Sequence, residues 1–178
     1  MSSKYSSWGR YPGASPKQVV KLAWQTDALP LNAPLLAYGL GRSYGDSCLN
    51  NGGTIIDVSS LNHLLEMNVE TGVLRVEAGM SLADILEYIV PKGWFLPVTP
   101  GTKFVTIGGA IANDVHGKNH HQDGAFGCHV RAFELLRSDG TRRLCTPTQN
   151  NELFSATIGG RKIDFRVSDA LKRKHQLG

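Results

Sequence analysis

The stretch "LLAYGLGRSYGDSCLNNGGTIID", residues 35–57, decides between two ways of building an α and β protein. Its first four residues are a short apolar run that reads as a buried strand, and "TIID" reads as a second. Glycines at 39 and 41, straight after a strand, suggest the fingerprint of a doubly wound parallel sheet. That match fails twice: the next glycine, Gly45, falls one position late, and "DSCLNNGG" cannot open a helix. What remains is a glycine-rich loop between two strands. It is either a plain turn or a loop whose backbone N–H groups, with Arg42 and the Ser43 hydroxyl, surround the oxygens of a pyrophosphate.

The flanking chain supports a mixture of short elements. "SPKQVVKLAW" reads as a helix, with Ser15 as N-cap, Pro16 at the first helical position and Val19, Val20, Ala23 and Trp24 on one face. "LLEMNVETGVLRVEAG" predicts two strands about a turn at Thr71-Gly72. "SLADILEYIVPKG" predicts a helix capped by Ser81, with Asp84 as its capping-box partner and Gly93 as its stop. "WFLPVTPG" is extended, and "VTIGGAIANDVHG" opens a short helix or turn with Thr106 near its cap. "RAFELLRSDGTRRLCT" is a hairpin turning at Asp139-Gly140, and "NNELFSATIGG" is a last helix capped by Asn150 or Asn151. This order gives an α+β fold with no internal repeat.

With 178 residues, 41% of them hydrophobic, the chain can bury one respectable core. Its net charge of +4 resides in residues 161–178, which carry six Lys/Arg against two Asp/Glu; the rest balances at thirteen of each sign. A nucleic-acid binder carries its basic patch on the folded body, so that class is set aside. Cys48, Cys128 and Cys145 are widely spaced and form no CxxC pair, which speaks against a zinc ribbon or a disulfide framework. The N-terminus has no apolar signal region, and a reduced, cytoplasmic protein is the expectation. The tail "RKIDFRVSDALKRKHQLG" is basic, does not continue the composition before it, and suits a helix from about Ser168.

A second glycine region repeats the materials of the first: "PGT" at 100–102 and "TIGG" at 106–109, with hydroxyls from Thr102 and Thr106. Two such loops, each after an extended segment, are best explained by one long diphosphate ligand. Next come three histidines in six residues, His116, His120 and His121, with Asp114 beside them. A zinc or iron site is one reading, but Gly117 interrupts the helix it would need and there is no HExxH, so no metal is assigned. A histidine with Lys118 would instead stabilise negative charge on a reduced flavin or on a substrate alkoxide.

"SWGRYP", "GLGRSYGDSCLNNGG", "LPVTPGTKFVTIGGAIANDVHGKNHHQDGAFGCHV" and "ELFSATIGG", in that order over residues 5–160, closely resemble the FAD-binding half of the vanillyl-alcohol-oxidase superfamily. These are FAD-linked oxidases with a PCMH-type FAD domain, and "HGKNHH" and "GRSYGD" are specific to a branch that oxidises a secondary alcohol of a lipid-linked sugar. The resemblance implies two small α+β subdomains with FAD clasped between them. It places Ala37, Tyr38, Gly39, Leu40, Gly41, Arg42, Ser43, Tyr44, Gly45, Asp46 and Ser47 in the first cofactor loop, with Gly101 beside it. Thr106, Ile107, Gly108 and Gly109 then match diphosphate positions, and Asn113, Asp114, Val115 and His116 run along the flavin. His116 and Lys118 match catalytic positions facing flavin and sugar. Arg42 stands where many relatives carry a tethering histidine, so FAD is expected to be non-covalent.

The resemblance stops near residue 160, where the family continues with further strands and a substrate domain. The expectation is a partial FAD-binding domain over 1–160, incomplete at its C-terminal end, and a non-family tail over 161–178. A short chain of this kind would hold FAD but oxidise no alcohol alone, or would need a second polypeptide to supply the substrate half. A non-catalytic remnant or FAD-binding module is the alternative function.

Overall fold

A computed structural model describes residues 4–30, 34–137, 139–160, 164–170 and 172–173, the last two segments by their backbone alone. Among the described residues, ten strands form one three-stranded sheet, one five-stranded sheet and a separate two-stranded pair, and four α-helices accompany them. Mixed helices and strands make the fold α+β, as the sequence predicts.

The smaller sheet is parallel, with β3 (Thr54–Asp57) between β1 (Gln18–Lys21) and β2 (Leu35–Tyr38). β1 lies where the sequence predicts a helix. Val19 packs with Tyr5, Tyr38, Cys48 and Ile55, whereas Val20 packs with Leu22, Ile56, Val58 and Leu61 on the other face. Successive residues feeding opposite faces are what a strand delivers, and Ile55 and Ile56 of β3 divide in the same way. Two adjacent β-branched residues in register with β3 therefore outweigh the local Ser-Pro helix signal.

The larger sheet runs β4 (Leu64–Asn68), β5 (Val73–Glu77), β9 (Asp164–Ala170), β7 (Val130–Leu136), β8 (Arg142–Cys145), and all its pairings are antiparallel. Both sequence-predicted hairpins are present here. β9 is a second correction: no helix starts at Ser168, whose backbone pairs with Arg75 of β5 and Ala132 of β7 in the middle of the sheet. β10 (Lys172–Arg173) pairs with β6 (Trp94–Phe95). Leu74, Val76, Phe133 and Leu135 of this sheet, with α1 (Leu82–Ile89) and α2 (Ile107–Ala112), build the main core.

Two helix starts meet at the site's edge. Ser81 caps α1 by accepting from the Asp84 N–H, and the Asp84 carboxylate accepts from the Ser81 N–H, closing the capping box. Thr106 caps α2, its hydroxyl oxygen accepting from Gly109 N–H at 3.1 Å. A bridge between Ser81 and Thr106 ties the two together. α3 (His120–Asp123) is a single turn. α4 (Asn151–Thr157) follows Asn150, which sits at its N-cap in the left-handed region at φ 51° without a side-chain cap. Asn150 thus holds the cap position the sequence suggests, but its side-chain amide donates to Leu144 O at 2.8 Å and makes no cap bond; Asn151 Oδ1 accepts from its neighbour, Glu152. No helix among the described residues is long and apolar enough to cross a membrane.

Candidate cofactor site

A cavity of about 650 Å³ opens where the two sheets approach each other, a size suited to a cofactor. Leu35, Leu36 and Ala37 of β2 lead into it, and Gly39, Leu40, Gly41, Arg42, Ser43, Tyr44 and Ser47 form one wall. Thr106, Gly108, Gly109, Ala112, Asn113 and Val115 on and after α2 form a second. The two glycine regions, 60-odd residues apart in the chain, touch: a Cβ on Gly39 would lie 2.7 Å from Thr106 Oγ1. The sequence groups them correctly.

The two walls differ in their hydrogen bonding. At the start of α2, Ile107 N–H donates to Met80 O at 2.8 Å, Gly108 N–H to Ala78 O at 2.9 Å and Gly109 N–H to the Thr106 hydroxyl. Those donors are committed within the protein. In the first loop, no described residue accepts from the N–H groups of Gly39, Leu40, Gly41 or Arg42. Amides without a protein acceptor beside a cavity are donors available to an anion. Arg42 adds the positive charge there; one of its N–H groups donates to Leu40 O at 2.9 Å.

Several expected residues sit off the wall. Tyr38 is buried, its hydroxyl donating to Ser6 O at 2.7 Å, and burial, then the Cys48 thiol, hold its proton more tightly than usual. Ile107 is a core residue with no exposed surface. Gly45, at φ 61°, and the exposed Asp46 shape the end of the first loop. Asp114 accepts from Gly127 N–H at 2.8 Å and thereby fixes the chain entering β7. Gly101, His116 and Lys118 gather in a second cleft, of about 550 Å³, with Thr99, Pro100 and His120. His116 and Lys118 are exposed, and the His116 and His120 rings meet edge to face at 5.4 Å. Among the described residues, no three His, Cys, Asp or Glu side chains are grouped to hold a metal ion.

Sequence reasoning missed a third wall. Leu135, Leu136 and Arg137, at the end of β7, line the cavity with Val58, Ala78 and Val105. The hairpin is legible in the sequence, but nothing local says that its end reaches the first loop. Cys48 also lines the cavity, and burial pushes its thiol pKa up, which leaves it inert as a nucleophile.

The comparisons agree with this geometry. A family model described as an FAD binding domain matches residues 15–146. The chain is 48% identical over 127 residues to decaprenylphosphoryl-beta-D-ribose oxidase of Mycolicibacterium smegmatis, covering 71% of this chain and 28% of that protein. It is 32% identical over 97 residues to the delta(24)-sterol reductase of Homo sapiens, covering 54% of this chain and 19% of the reductase. With L-gulonolactone oxidase of Mus musculus it shares 27% identity over 162 residues, 86% of this chain and 36% of the oxidase. It thus spans about a third or less of the length of each of these relatives. A cavity walled by two glycine segments and a family match across both of them lead to one conclusion: the chain belongs to the PCMH-type FAD-binding domain family of FAD-linked oxidoreductases.

Proposed function

We propose that this chain binds FAD non-covalently, and that it is the cofactor-holding portion of an oxidoreductase acting on a secondary alcohol of a sugar. The observation that carries the reading is the row of four amides from Gly39 to Arg42 on the cavity wall, from which no described residue accepts. The residues fit the cofactor. Free N–H groups and the Arg42 guanidinium suit a diphosphate, while the missing side chains of Gly39 and Gly108 let the two walls pack against Thr106 and Ala78. Leu35, Leu36, Leu135 and Leu136 give apolar surface for planar rings. FAD, when bound, supplies the hydride-accepting chemistry. The chain's residues bind and orient. Of the expected residues, those on the cavity wall are the proposed contacts: Ala37, Gly39 to Tyr44, Ser47, Thr106, Gly108, Gly109, Asn113 and Val115; Tyr38, Gly45, Asp46, Ile107 and Asp114 shape that wall from behind, and Gly101 and His116 belong to the second cleft. His116 and Lys118 are the proposed catalytic groups: an imidazole nitrogen of His116 would take the proton of the substrate hydroxyl, and the Lys118 ammonium would stabilise the negative charge left on its oxygen.

The sugar is proposed to be lipid-linked, as in the name of the mycobacterial relative. The test is a titration of the purified chain with FAD, followed by flavin fluorescence. Saturable quenching is expected, and acid precipitation should leave all yellow colour in the supernatant. Flavin retained in the pellet refutes the non-covalent assignment, and no quenching refutes the cofactor.

A second reading is favoured by the exposure of His116 and Lys118 in their open cleft. In it the chain holds FAD but oxidises no alcohol unaided, because water competes for each polar contact the substrate would make. An anaerobic mixture of FAD-loaded chain and a decaprenylphosphoryl ribose analogue separates the two. Flavin bleaching that His116→Ala abolishes supports a working enzyme; a persistent oxidised spectrum supports the binding module.

A further inference from the structure

Residues 5–8 lie ahead of residues 15–146, which the family model matches, and Tyr5, Ser6 and Trp8 each bond to β2, β3 or the first loop. The Tyr5 hydroxyl donates to Asp57 Oδ2 at 2.9 Å, and its ring meets Tyr38 edge to face at 5.1 Å. Ser6 N–H donates to the Tyr38 hydroxyl at 3.2 Å, and that hydroxyl donates back to Ser6 O. Trp8 N–H donates to Ser43 O at 3.1 Å, and the Arg42 guanidinium lies 5.3 Å from the centre of the Trp8 ring. Gly41, at φ 62°, fits between the Tyr38 hydroxyl and the Ser6 carbonyl, where any side chain would collide. Ser7 is 3% exposed, and its hydroxyl has no hydrogen-bond partner among the described residues.

A loop with glycines at 39, 41 and 45 has little conformational preference of its own. Its amides, which no described residue accepts from, can converge on one anion only while something outside the loop fixes their directions. Residues 5–8 do so on one side, by holding Ser43 O and closing over Gly41. Trp8 also restricts Arg42: the ring face and Leu40 O engage part of the guanidinium, and its other N–H groups stay available to an anion.

We propose that Tyr5 to Trp8 are a strap belonging to the diphosphate site, and that Trp8 is a positioning residue which sets Arg42 and the 39–43 loop for the cofactor's anionic centre. The inference rests on the FAD reading above. Trp8 is 55% exposed, so its replacement should leave the fold intact, which melting of the FAD-free variants checks. In the full chain, Trp8→Leu should weaken FAD binding about tenfold, and Trp8→Phe, which keeps an aromatic face, should stay within about threefold of wild type. In an Arg42→Ala background, Trp8→Leu should have no further effect, because the group it positions is gone. Unchanged affinity in Trp8→Leu, a Phe variant as weak as the Leu variant, or a full additional loss in the Arg42→Ala background would each overturn the strap. A wild-type chain that fails to bind FAD overturns the reading beneath it instead, and the two failures are distinct.

Discussion

Two glycine-bearing segments face one cavity, and they contribute opposite things. At the start of α2 the leading amides are spent on Met80, Ala78 and Thr106, so the segment offers bare surface. In the 39–42 loop the amides have no acceptor among the described residues, so that segment offers donors. Glycine in a sequence announces that backbone comes close to something. Here Gly108 is close to Ala78, and Gly41 is close to Ser6 and Tyr38. Whether the N–H also points at a ligand depends on what the rest of the fold has already claimed.

The contrast can be broken most directly by substitution. Gly41→Ala places a methyl against the Ser6 carbonyl and the Tyr38 hydroxyl at a left-handed φ. The loop must move, and losing two charge-assisted hydrogen bonds, each worth roughly 1.5–3 kcal/mol, should weaken FAD binding at least about a hundredfold. Gly108→Ala brings a Cβ to 3.1 Å from Ala78 Cβ and O, a tight fit rather than a collision. It should cost about 1–3 kcal/mol of stability and change FAD affinity less than about fivefold. A folded Gly108→Ala protein that has lost FAD, beside a Gly41→Ala protein that has kept it, would reverse the comparison.

Hydrogen exchange sharpens the same point without mutation. Amides 39–42 should exchange freely in the FAD-free chain and slow at least about tenfold on FAD binding. Those of 107–109 should be protected in both states. Equal response of the two segments would mean that the α2 donors are released when the cofactor arrives.

Smaller effects test the supports of each segment. Thr106→Val removes the cap of α2 and leaves the Gly109 amide unpaired, which should cost about 1 kcal/mol in urea unfolding. Tyr5→Phe removes the strap's bond to Asp57 and should cost about 1 kcal/mol at neutral pH. Its pH dependence has a definite sign. Burial first, then the Asp57 bond, pushes the Tyr5 pKa up to about 12. That contribution is whole below the ordinary tyrosine value of about 10 and is lost as pH rises towards 12. For Asp57, burial acts to raise the pKa, but the Ser59 hydroxyl and amide, the Tyr5 hydroxyl and Lys4 outweigh it and bring it below the usual value. Its contribution is whole above about 4 and is lost as pH falls through the lowered value. The gap between wild type and Tyr5→Phe should therefore be flat at mid-range pH and shrink at both ends. A gap that widens above pH 10 would mean the pair is not hydrogen-bonded as described.

Much of the fold is legible wherever one short window carries the whole signal. Ser81 and Asp84 announce a capping box that forms in full, and Thr106 announces the cap of α2. Thr71-Gly72 and Asp139-Gly140 mark their hairpins. The readings that failed concern residues whose partners are distant. Gln18–Lys21 carries a helix-like start but is claimed by Thr54–Asp57 in register. The tail suits a helix from about Ser168, yet the backbone of Asp164–Ala170 is claimed on both sides by β5 and β7. A strand's hydrogen bonds are made to another part of the chain, so no window around it contains them.

The same division runs through the site. From the sequence alone come the α+β class, the two glycine regions as walls of one cavity, and the candidate residues from Ala37 to His116, because residue type and order are local properties. Only the tertiary structure decided which amides remain free, that the end of β7 supplies a third wall, that Trp8 covers Arg42, and that His116 and Lys118 sit in a separate, open cleft. Each of those depends on which groups compete for a donor or a surface in three dimensions. That competition is settled when distant segments pack.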